Sequence, residues 1–528
     1  MEPDPVSNTP ILDAIETKLR HLSPSLEHVA WERTPGNELG REDGSSWILQ
    51  VPDLWGWESE SALEGLHPGI KQLLAKIENY IAEARQSVDI TTWGVPNFII
   101  APAGPYPDGQ FLEAMSRGLK TAVGRLRQSQ SHGRLQVRLL SGVLFHLGDS
   151  PEDFLAGLKE MIGQNASYID FNIAVMVTDQ PRSQNHTKLI VVDGQSVICG
   201  GINWMSNYYI QDGPSWVYGG LGGIAPVTDL DIALRGPAAL SAGKFLDRLW
   251  AWTCQNVGDK AKIASSMDKG KLMPSLYEGH KTSPVGKLDV ISVGSLGYGI
   301  QKKDEKSGYE LKDVANVDQG AYHYGLLFKS SSNDTNTDRD FMTVNPDAYA
   351  LQVLIESAER NIVLSQQDIN GYSGEPVNQP LFDVRLIDAL ISRMMAGVKV
   401  QIVLSNPGRP DYSNIVKIEE AKKSLRDRAI LMNKGNEKTA RDLLFTKLQL
   451  ATLRVSSKPT WPGDRRYRLH TKLICVDDRA FYVGSRNAYP DTTQDHGFII
   501  EDEGAARELW LAFLRPQWQY SQSTACQW

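Results

Sequence analysis

The sequence HTKLIVVDGQSVICGGIN, from His186 to Asn203, occurs a second time as HTKLICVDDRAFYVGSRN, from His470 to Asn487. Both copies satisfy the pattern H-x-K-x4-D-x6-G-[GS]-x-N. Two chance matches at equivalent places in one chain are not expected. The repeat therefore predicts a tandem duplication in which each half contributes the same set of side chains.

The sequences around the two copies extend the likeness. In each half a strand pattern, a helix pattern and a second strand pattern come before the repeat, and a strand and a terminal helix come after it. The matched segments are EARQSVDITTW (83–93) with SAERNIVLSQQDI (357–369), FLEAMSRGLKTAV (111–123) with LFDVRLIDALISRMMA (381–396), GRLQVRLLSG (133–142) with GVKVQIVLSN (397–406), and DLDIAL (229–234) with HGFIIE (496–501). This order predicts an α/β fold of two similar α/β halves, with mixed sheets flanked by helices, related by a pseudo-twofold axis.

The duplication also predicts how the chain is divided. We expect an N-terminal half over residues 1–256 and a C-terminal half over residues 343–528, each with one copy of the repeat. Residues 257–342 between them are rich in Gly, Lys, Ser, Asp and Asn. Such a composition favours a loop-rich connecting segment with few regular elements.

Composition narrows the class of protein. The 528 residues carry a net charge of −8 and no long basic run, which disfavours long nucleic acid as a partner. No stretch approaches the roughly 18 apolar residues of a membrane span, and MEPDPVSNTP lacks the features of a signal peptide. The four cysteines show no zinc-site or paired spacing, so location is expected to lean towards the cytoplasm.

Strand geometry predicts which repeat side chains act together. Residues i and i+2 of an extended strand share a face, so the His and Lys of each repeat project together, while a Gly-rich turn brings the later Asn close. Each half then offers an imidazole, an ammonium and an amide: His186, Lys188 and Asn203 in the first, His470, Lys472 and Asn487 in the second.

Two such sets facing each other suit a single phosphate diester. Two fixed cations and several hydrogen-bond donors match the charge on its oxygens. One histidine attacks phosphorus and forms a phosphohistidine, while the other protonates the leaving alcohol. We expect no metal and no cofactor, because the lysines supply the positive charge. Asp193 and Asp477 fall on the opposite strand face and are expected to be structural, as ion pairs or turn caps.

The elements HTKLIVVD and HTKLICVD resemble the HKD motifs of the phospholipase D superfamily. Segments throughout the chain resemble secreted actinomycete (Streptomyces-type) phospholipases D, among them WERTPGN (31–37), VVDGQS (191–196), TVNP (343–346), SQQDIN (365–370) and PQWQYSQ (516–522). The resemblance implies hydrolysis of phosphatidylcholine-type phospholipids to phosphatidic acid and the free headgroup alcohol. It also implies transphosphatidylation, the transfer of the phosphatidyl group to another alcohol, through a phosphohistidine intermediate.

The resemblance further implies the role of each residue. His186 matches the nucleophile and His470 the general acid and base, while the repeat lysines and asparagines match phosphate-binding positions. Two acidic residues that orient the histidines map to Asp229 and Asp495, and we expect the pairing to cross between halves. Asp231 is the rival of Asp229, since successive residues of DLD alternate faces.

Two aromatic residues are candidates for the headgroup pocket. Tyr412, in RPDYSNI, matches a family tyrosine whose ring faces a quaternary ammonium, and Trp204 is a candidate for the pocket rim. The loop from Trp204 to Thr228 is longer than expected for the secreted enzymes. It either contacts lipid and alters acceptor choice or is a lid without specificity.

Two other functions stay open at this point. One is a phosphodiesterase of the same superfamily that acts on nucleic acid or another phosphodiester, which the net charge disfavours. The other is a noncatalytic lipid-binding scaffold, which the intact histidines and lysines disfavour. The expected partner is a phospholipid at a membrane or micelle surface, with peripheral membrane contact only and no nucleic acid. A monomer is favoured because one chain contains both half-sites.

Overall fold

Each copy of the repeat folds as two antiparallel strands joined by a tight turn. The turns depend on left-handed backbone at the repeat aspartates, with φ of 53° at Asp193 and 55° at Asp477. Aspartate tolerates this conformation better than most residues. In the first copy, alternate side chains enter two different cores, with Leu189 and Val191 in one and Ile190 in the other. Burial on both faces explains the continuous apolar runs.

The computed structural model describes most of the chain. The described residues are 9–41, 44–59, 67–94, 109–129, 133–142, 150–176, 184–204, 209, 226–258, 261–297, 300, 345–372, 380–406, 418–489 and 493–528. The strands are β1 Trp31–Leu39, β2 Ile48–Val51, β3 Ser87–Thr92, β4 Leu135–Ser141, β5 Ile169–Met176, β6 Leu189–Val192, β7 Ser196–Gly200, β8 Val227–Arg235, β9 Ala261–Ser265, β10 Leu288–Ser295, β11 Asn361–Gln366, β12 Asn370–Tyr372, β13 Pro380–Phe382, β14 Lys399–Leu404, β15 Leu448–Thr452, β16 Arg468–Leu469, β17 Lys472–Val476, β18 Ala480–Gly484 and β19 Asp495–Glu501.

The helices cover the faces of these strands. They are α1 Pro10–Leu22, α2 Pro68–Ala82, α3 Gly109–Gln128, α4 Pro151–Ile162, α5 Pro237–Gln255, α6 Pro346–Glu356, α7 Val384–Met395, α8 Ile418–Met432, α9 Glu437–Lys447, α10 Glu503–Leu509 and α11 Arg515–Ser521. A π-helical turn, Trp510–Leu514, joins the last two. No described helix combines the length and the apolar character needed to cross a lipid bilayer.

The strand pairings form two arms that share an order of seven strands, from β5 to β2 in the first and from β15 to β10 in the second, with β9 added beside β5 and β1 added beside β10. The first arm runs β9-β5-β4-β3-β6-β7-β8-β2. The second arm runs β15-β14-β11-β17-β18-β19-β10-β1. In each arm only the three strands around β4 or β14 are parallel. The prediction of two similar α/β halves with mixed sheets flanked by helices is confirmed.

The two arms are joined by strands that pair across them. β1 pairs with β10 of the second arm and, at its end, with β8 of the first, while the short β16 runs parallel to β8. Helix α5 packs against strands of both arms, including β6 and β10. A core cluster containing side chains of both halves lies at this junction. The halves therefore meet along the strands that follow and precede the repeats.

The predicted connecting segment contributes one strand to each arm. Within residues 257–300, β9 lies beside β5 and β10 lies beside β19. β10 therefore occupies in the second arm the place that β2 occupies in the first. Loop-type composition did not indicate these two strands, whose pairing partners are far away in sequence. We propose that residues 1–256 and 343–528 form the two halves and that residues 257–342 contribute one strand to each half.

Candidate active site

The two repeat histidines lie at the carboxyl ends of the parallel strands, where the arms meet. His186 precedes β6, which runs antiparallel to β3, and His470 precedes β17, which runs antiparallel to β11. The backbone N–H of His186 donates to the carbonyl of Gln494 at 2.8 Å, and that of His470 donates to the carbonyl of Thr228 at 2.8 Å. Each histidine is thus anchored by its backbone to the opposite half.

The alternation of the repeat places the intervening threonines away from the imidazoles. The Thr187 hydroxyl bonds the Thr91 hydroxyl at 2.7 Å, and the Thr471 hydroxyl bonds that of Ser365 at the same distance. All four side chains are buried. These hydroxyl pairs tie each repeat to the neighbouring strand of its own half, and leave the histidine and lysine on the other face.

Each imidazole donates its Nδ1–H to a carboxylate of the opposite half. His186 Nδ1 lies 2.8 Å from Asp495 Oδ1, and His470 Nδ1 lies 2.8 Å from Asp229 Oδ2. Both carboxylates are fully buried, and the imidazoles are 9% and 8% exposed. The crossed pairing that the resemblance implied is therefore present. Because Nδ1 is engaged, Nε2 is the ring nitrogen that remains for chemistry.

The Asp495 carboxylate is held by two further hydroxyls. Ser485 donates to Oδ1 and Thr493 to Oδ2, both at 2.6 Å. Sequence reasoning missed both residues. The only signal was the internal alignment of GSRN with GGIN, which sets Ser485 against a glycine of the other repeat.

The Asp229 carboxylate has a different set of donors. Its Oδ2 accepts the phenol O–H of Tyr209 at 2.9 Å, and its Oδ1 accepts the backbone N–H of Leu230 at 2.8 Å. The Tyr209 oxygen also lies 3.2 Å from His470 Nδ1. No sequence pattern singled out Tyr209 among the aromatic residues that follow the first repeat.

The repeat lysines are buried beside the histidines. Lys188 and Lys472 are 3% and 1% exposed, and each donates a hydrogen bond from Nζ to the carbonyl of the repeat histidine two residues before it. The positive field of each lysine reaches both rings, because each lowers the pKa of His186 and of His470. Two buried cations thus serve one site.

Burial and the lysines keep both imidazoles neutral. Loss of solvation, followed by the nearby lysine of the same repeat, lowers the pKa of His186 and of His470 to about 4. Asp495 raises the pKa of His186 and Asp229 raises that of His470, but these effects are smaller than the combined effect of burial and the lysines. At neutral pH each ring therefore carries its proton on Nδ1, towards the carboxylate, and has a lone pair on Nε2.

The two carboxylates stay ionised in spite of their burial. Burial raises the pKa of Asp495, but His186, Arg486 and the hydroxyl donors outweigh it and hold that pKa below its usual range. Burial likewise opposes ionisation of Asp229, and the neighbouring His470 is the main group that lowers the pKa. Both anions are therefore available to stabilise an imidazolium.

The repeat asparagines follow the second strand of each hairpin. Asn203 and Asn487 come after β7 and β18 and are 5% and 4% exposed. The Asn203 Oδ1 has no hydrogen-bond partner among the described residues. Buried amides are normally paired, so an unpaired oxygen marks a place where a further group is expected.

Asp231, the rival for the partner of His470, has another role. Its Oδ1 accepts the backbone N–H of Ile202 at 3.0 Å. Burial raises the pKa of the Asp231 carboxyl group well above its usual range. His470 pairs with Asp229 instead. Asp229 and Asp231 are two residues apart in β8 and share a strand face, so alternation alone did not decide between them.

The aspartates at the end of each HxKxxxxD pattern cap turns. Asp193 accepts the backbone N–H groups of residues 85–87 at 2.7–2.8 Å. Asp477 accepts those of residues 359–361 at 2.7–2.9 Å. Each aspartate thus fastens the hairpin turn to the start of β3 or β11. The structural role expected for both is confirmed.

Of the two candidates for the headgroup pocket, Trp204 lies within the described residues and Tyr412 does not. Trp204 was expected at a pocket rim, but it is 4% exposed and stacks on Phe111 with ring centroids 5.7 Å apart. The structure therefore places its ring in the core of the first half, because a large aromatic ring gains most by burial. Tyr412 lies outside the described residues, as do residues 205–208 and 210–225 of the long loop.

Comparison with known proteins finds a matching family model and a related protein. Residues 351–516 match the family model described as "Cardiolipin synthase, PLD-like domain". The chain is 40% identical to a phospholipase D of Streptomyces antibioticus over 533 aligned positions, which cover 98% of this chain and 88% of that protein.

Two solved structures are also similar. A phosphatidylserine synthase from Haemophilus influenzae Rd KW20 covers 98% of this chain and 91% of its own, with 13% identity and a TM-score of 0.48. The phospholipase D family member Nuc from Salmonella typhimurium covers 34% of this chain and 91% of its own, with 15% identity and a TM-score of 0.21.

Proposed function

The chain belongs to the phospholipase D family, and we propose that it hydrolyses phosphatidylcholine-type phospholipids to phosphatidic acid and the free headgroup alcohol. The observation that carries this proposal is the pair of crossed dyads, His186 with Asp495 and His470 with Asp229. With Nδ1 of each ring bonded to a carboxylate of the other half, both rings have Nε2 left for chemistry, and both lie in the field of the same two lysines. That arrangement suits a displacement at a single phosphorus.

In the first step the neutral His186 attacks phosphorus through Nε2. A P–N bond forms, the P–O bond to the headgroup breaks, and the leaving oxygen takes the proton from Nε2 of a protonated His470. His186 keeps its Nδ1–H towards Asp495, whose negative charge offsets the charge that develops on the ring. The products are a phosphatidyl-histidine and the headgroup alcohol with its hydroxyl protonated.

In the second step His470 acts as the base. Its Nε2 takes a proton from water, the water oxygen bonds to phosphorus, and the P–N bond to His186 breaks. Phosphatidic acid leaves, and His470 again holds the proton that it gave away. An alcohol in place of water gives transphosphatidylation by the same path, so both reactions draw on one intermediate.

Substrate binding allows His470 to take up from solvent the proton that this cycle needs. Without substrate, burial and the lysines lower the pKa of His470 to about 4, so the ring is neutral. An anionic phosphodiester between Lys188 and Lys472 offsets their field and raises the pKa of a ring beside it. His470 is therefore protonated in the complex with substrate, where it acts as the acid. His186 is neutral in the free enzyme and can attack phosphorus.

Lys188, Lys472, Asn203 and Asn487 are proposed to hold the phosphate oxygens. The lysines contribute buried positive charge that no water screens, and the amides contribute directional hydrogen bonds. The Oδ1 of Asn203 is an acceptor without a partner among the described residues, so the Nδ2–H groups of the amides are the donors that the phosphate oxygens would accept. We further propose that the enzyme acts as a monomer with peripheral contact to a lipid surface, and that Tyr412 lines the headgroup pocket.

The test is incubation with phosphatidylcholine, with and without ethanol, followed by lipid separation and a choline assay. Release of choline with phosphatidic acid, and with phosphatidylethanol when ethanol is present, supports the proposal. Cleavage of plasmid DNA without choline release supports the nucleic-acid alternative instead. If the protein binds phosphatidylcholine vesicles and releases nothing, the noncatalytic scaffold is the better description.

A further inference from the structure

The donors that hold the two dyad carboxylates differ in origin as well as in kind. Ser485 and Thr493 both lie within the second repeat region, immediately next to the strands that carry the dyad, and both hold Asp495. Asp229 takes its only side-chain hydroxyl bond among the described residues from Tyr209. The phenol belongs to the segment that joins the first repeat to β8.

Among the described residues of the first half, the two positions equivalent to Ser485 and Thr493 carry no hydroxyl. Gly201 stands where the second repeat has Ser485, and a Cβ at Gly201 would lie 2.2 Å from Asp229 Oδ1. A serine is therefore excluded there. Val227 stands two residues before Asp229, where Thr493 stands before Asp495, and it has no hydroxyl. The phenol replaces both hydroxyls of the other half.

The position of the phenol ties it to His470. Its oxygen lies 2.9 Å from the same carboxylate oxygen that accepts the imidazole N–H, and 3.2 Å from that imidazole nitrogen. Tyr209 is 1% exposed and Asp229 is fully buried, so water does not replace a lost bond easily. With Leu230 holding the other oxygen, the phenol limits rotation of the carboxylate and thereby of the His470 ring.

We propose that Tyr209 is a positioning residue for His470, which makes the acid and base steps, but not nucleophilic attack by His186, depend on the segment after the first repeat. This inference rests on the proposed function. It separates the two histidines chemically: the carboxylate partner of His186 is held by the hydroxyls of Ser485 and Thr493, and the carboxylate partner of His470 is held by the phenol of Tyr209.

The test uses two substrates that differ only in the leaving group. Phosphatidyl-p-nitrophenol has a leaving group that departs without protonation, so its burst of p-nitrophenol reports attack by His186 alone. The steady state after the burst reports water activation by His470. Phosphatidylcholine needs His470 in both steps.

For Tyr209→Phe we expect an unchanged burst rate constant, with a steady-state rate and a rate of choline release that fall by roughly tenfold or more. Ser485→Ala, the matched variant of the other dyad, is expected to slow the burst itself. The burst amplitude counts folded, active sites, so partial unfolding of a variant lowers the amplitude and not the rate constants.

A second variant draws on the internal symmetry. Val227→Thr places a hydroxyl where Thr493 has one, and in the Tyr209→Phe background it is expected to restore most of the lost steady-state rate. Equal slowing of burst and steady state in Tyr209→Phe, no slowing of either, or loss of amplitude alone overturns the inference. If the wild-type protein releases neither choline nor p-nitrophenol, the proposed function itself fails.

Discussion

The two halves hold their histidines in the same backbone frame but surround the partner carboxylates differently. In each half the histidine N–H donates to the carbonyl of the residue just before the partner aspartate of the other half, and a turn aspartate accepts three backbone N–H groups. Asp495, however, is held by two aliphatic hydroxyls, and Asp229 by a phenol. The comparison indicates that the duplicated backbone determines where the two rings lie. The side chains that differ around the partner carboxylates then determine which role each histidine takes.

The largest effect is expected from removing the histidines. His186→Ala should lower choline release by roughly 10⁴–10⁶-fold, because no nucleophile remains. It should also abolish the burst with phosphatidyl-p-nitrophenol. His470→Ala should lower choline release by roughly 10²–10⁴-fold but keep the burst, since the activated leaving group needs no acid. A burst in His186→Ala that is lost in His470→Ala reverses the assignment.

The carboxylates are expected to follow the histidine that they orient. Asp495→Asn should slow the burst by roughly 10²–10⁴-fold, because the amide no longer stabilises charge on His186 and favours the wrong tautomer. Asp229→Asn should leave the burst largely intact and slow the steady state by a similar factor. Stopped-flow p-nitrophenol release measures both. If both variants slow the burst equally, the two dyads do not have separate roles.

The lysines are expected to shift the pH dependence unequally. Attack needs neutral His186, so the burst rate at substrate concentrations well below saturation, which reports the free enzyme, should fall as the pH drops through the pKa of about 4. Lys188 is the larger of the two lysine contributions that lower this pKa. Lys188→Ala should therefore move the midpoint up towards the ordinary histidine value of about 6.5, and Lys472→Ala should move it less. Burst rates between pH 3.5 and 7 test this, and equal midpoints in the two variants contradict it.

The smallest effect on chemistry is expected at the turn aspartates. Asp193→Ala and Asp477→Ala each remove a carboxylate that accepts three backbone N–H groups, which should lower the free energy of unfolding by about 1–3 kcal/mol. Chemical denaturation measures this loss. Burst rate constants per active site should match the wild-type values, and a large loss of that rate constant in a folded variant means that the aspartate takes part in the reaction.

The structure of the two repeats could be predicted from the sequence because it depends on short-range patterns along the chain. Alternation in HTK, the apolar runs and the Gly turns are short-range signals, and they gave the hairpins, the helices after β3 and β11 and the shared face of each His–Lys pair. The duplication then supplied the second half. The choice of Asp229 and Asp495 came from family resemblance, and the structure supports it with direct hydrogen bonds.

Features that depend on distant contacts were not predictable in this way. β9 and β10 lie in a segment of loop-type composition and are strands because β5 and β19 present free edges to them. Tyr209 belongs to an aromatic stretch in which several tyrosines look alike. Trp204 was expected at a rim because of its neighbourhood in sequence, but stacking on Phe111 buries it.

The central claim is that His186 carries the phosphatidyl group while His470 moves protons. Its most direct test is to treat the His470→Ala variant with phosphatidyl-p-nitrophenol, stop the reaction in alkali and locate the adduct by peptide mass spectrometry. We predict one phosphatidyl group per p-nitrophenol released in the burst, on the peptide that contains His186. Stoichiometric release without an adduct, or an adduct on any other residue, contradicts the account.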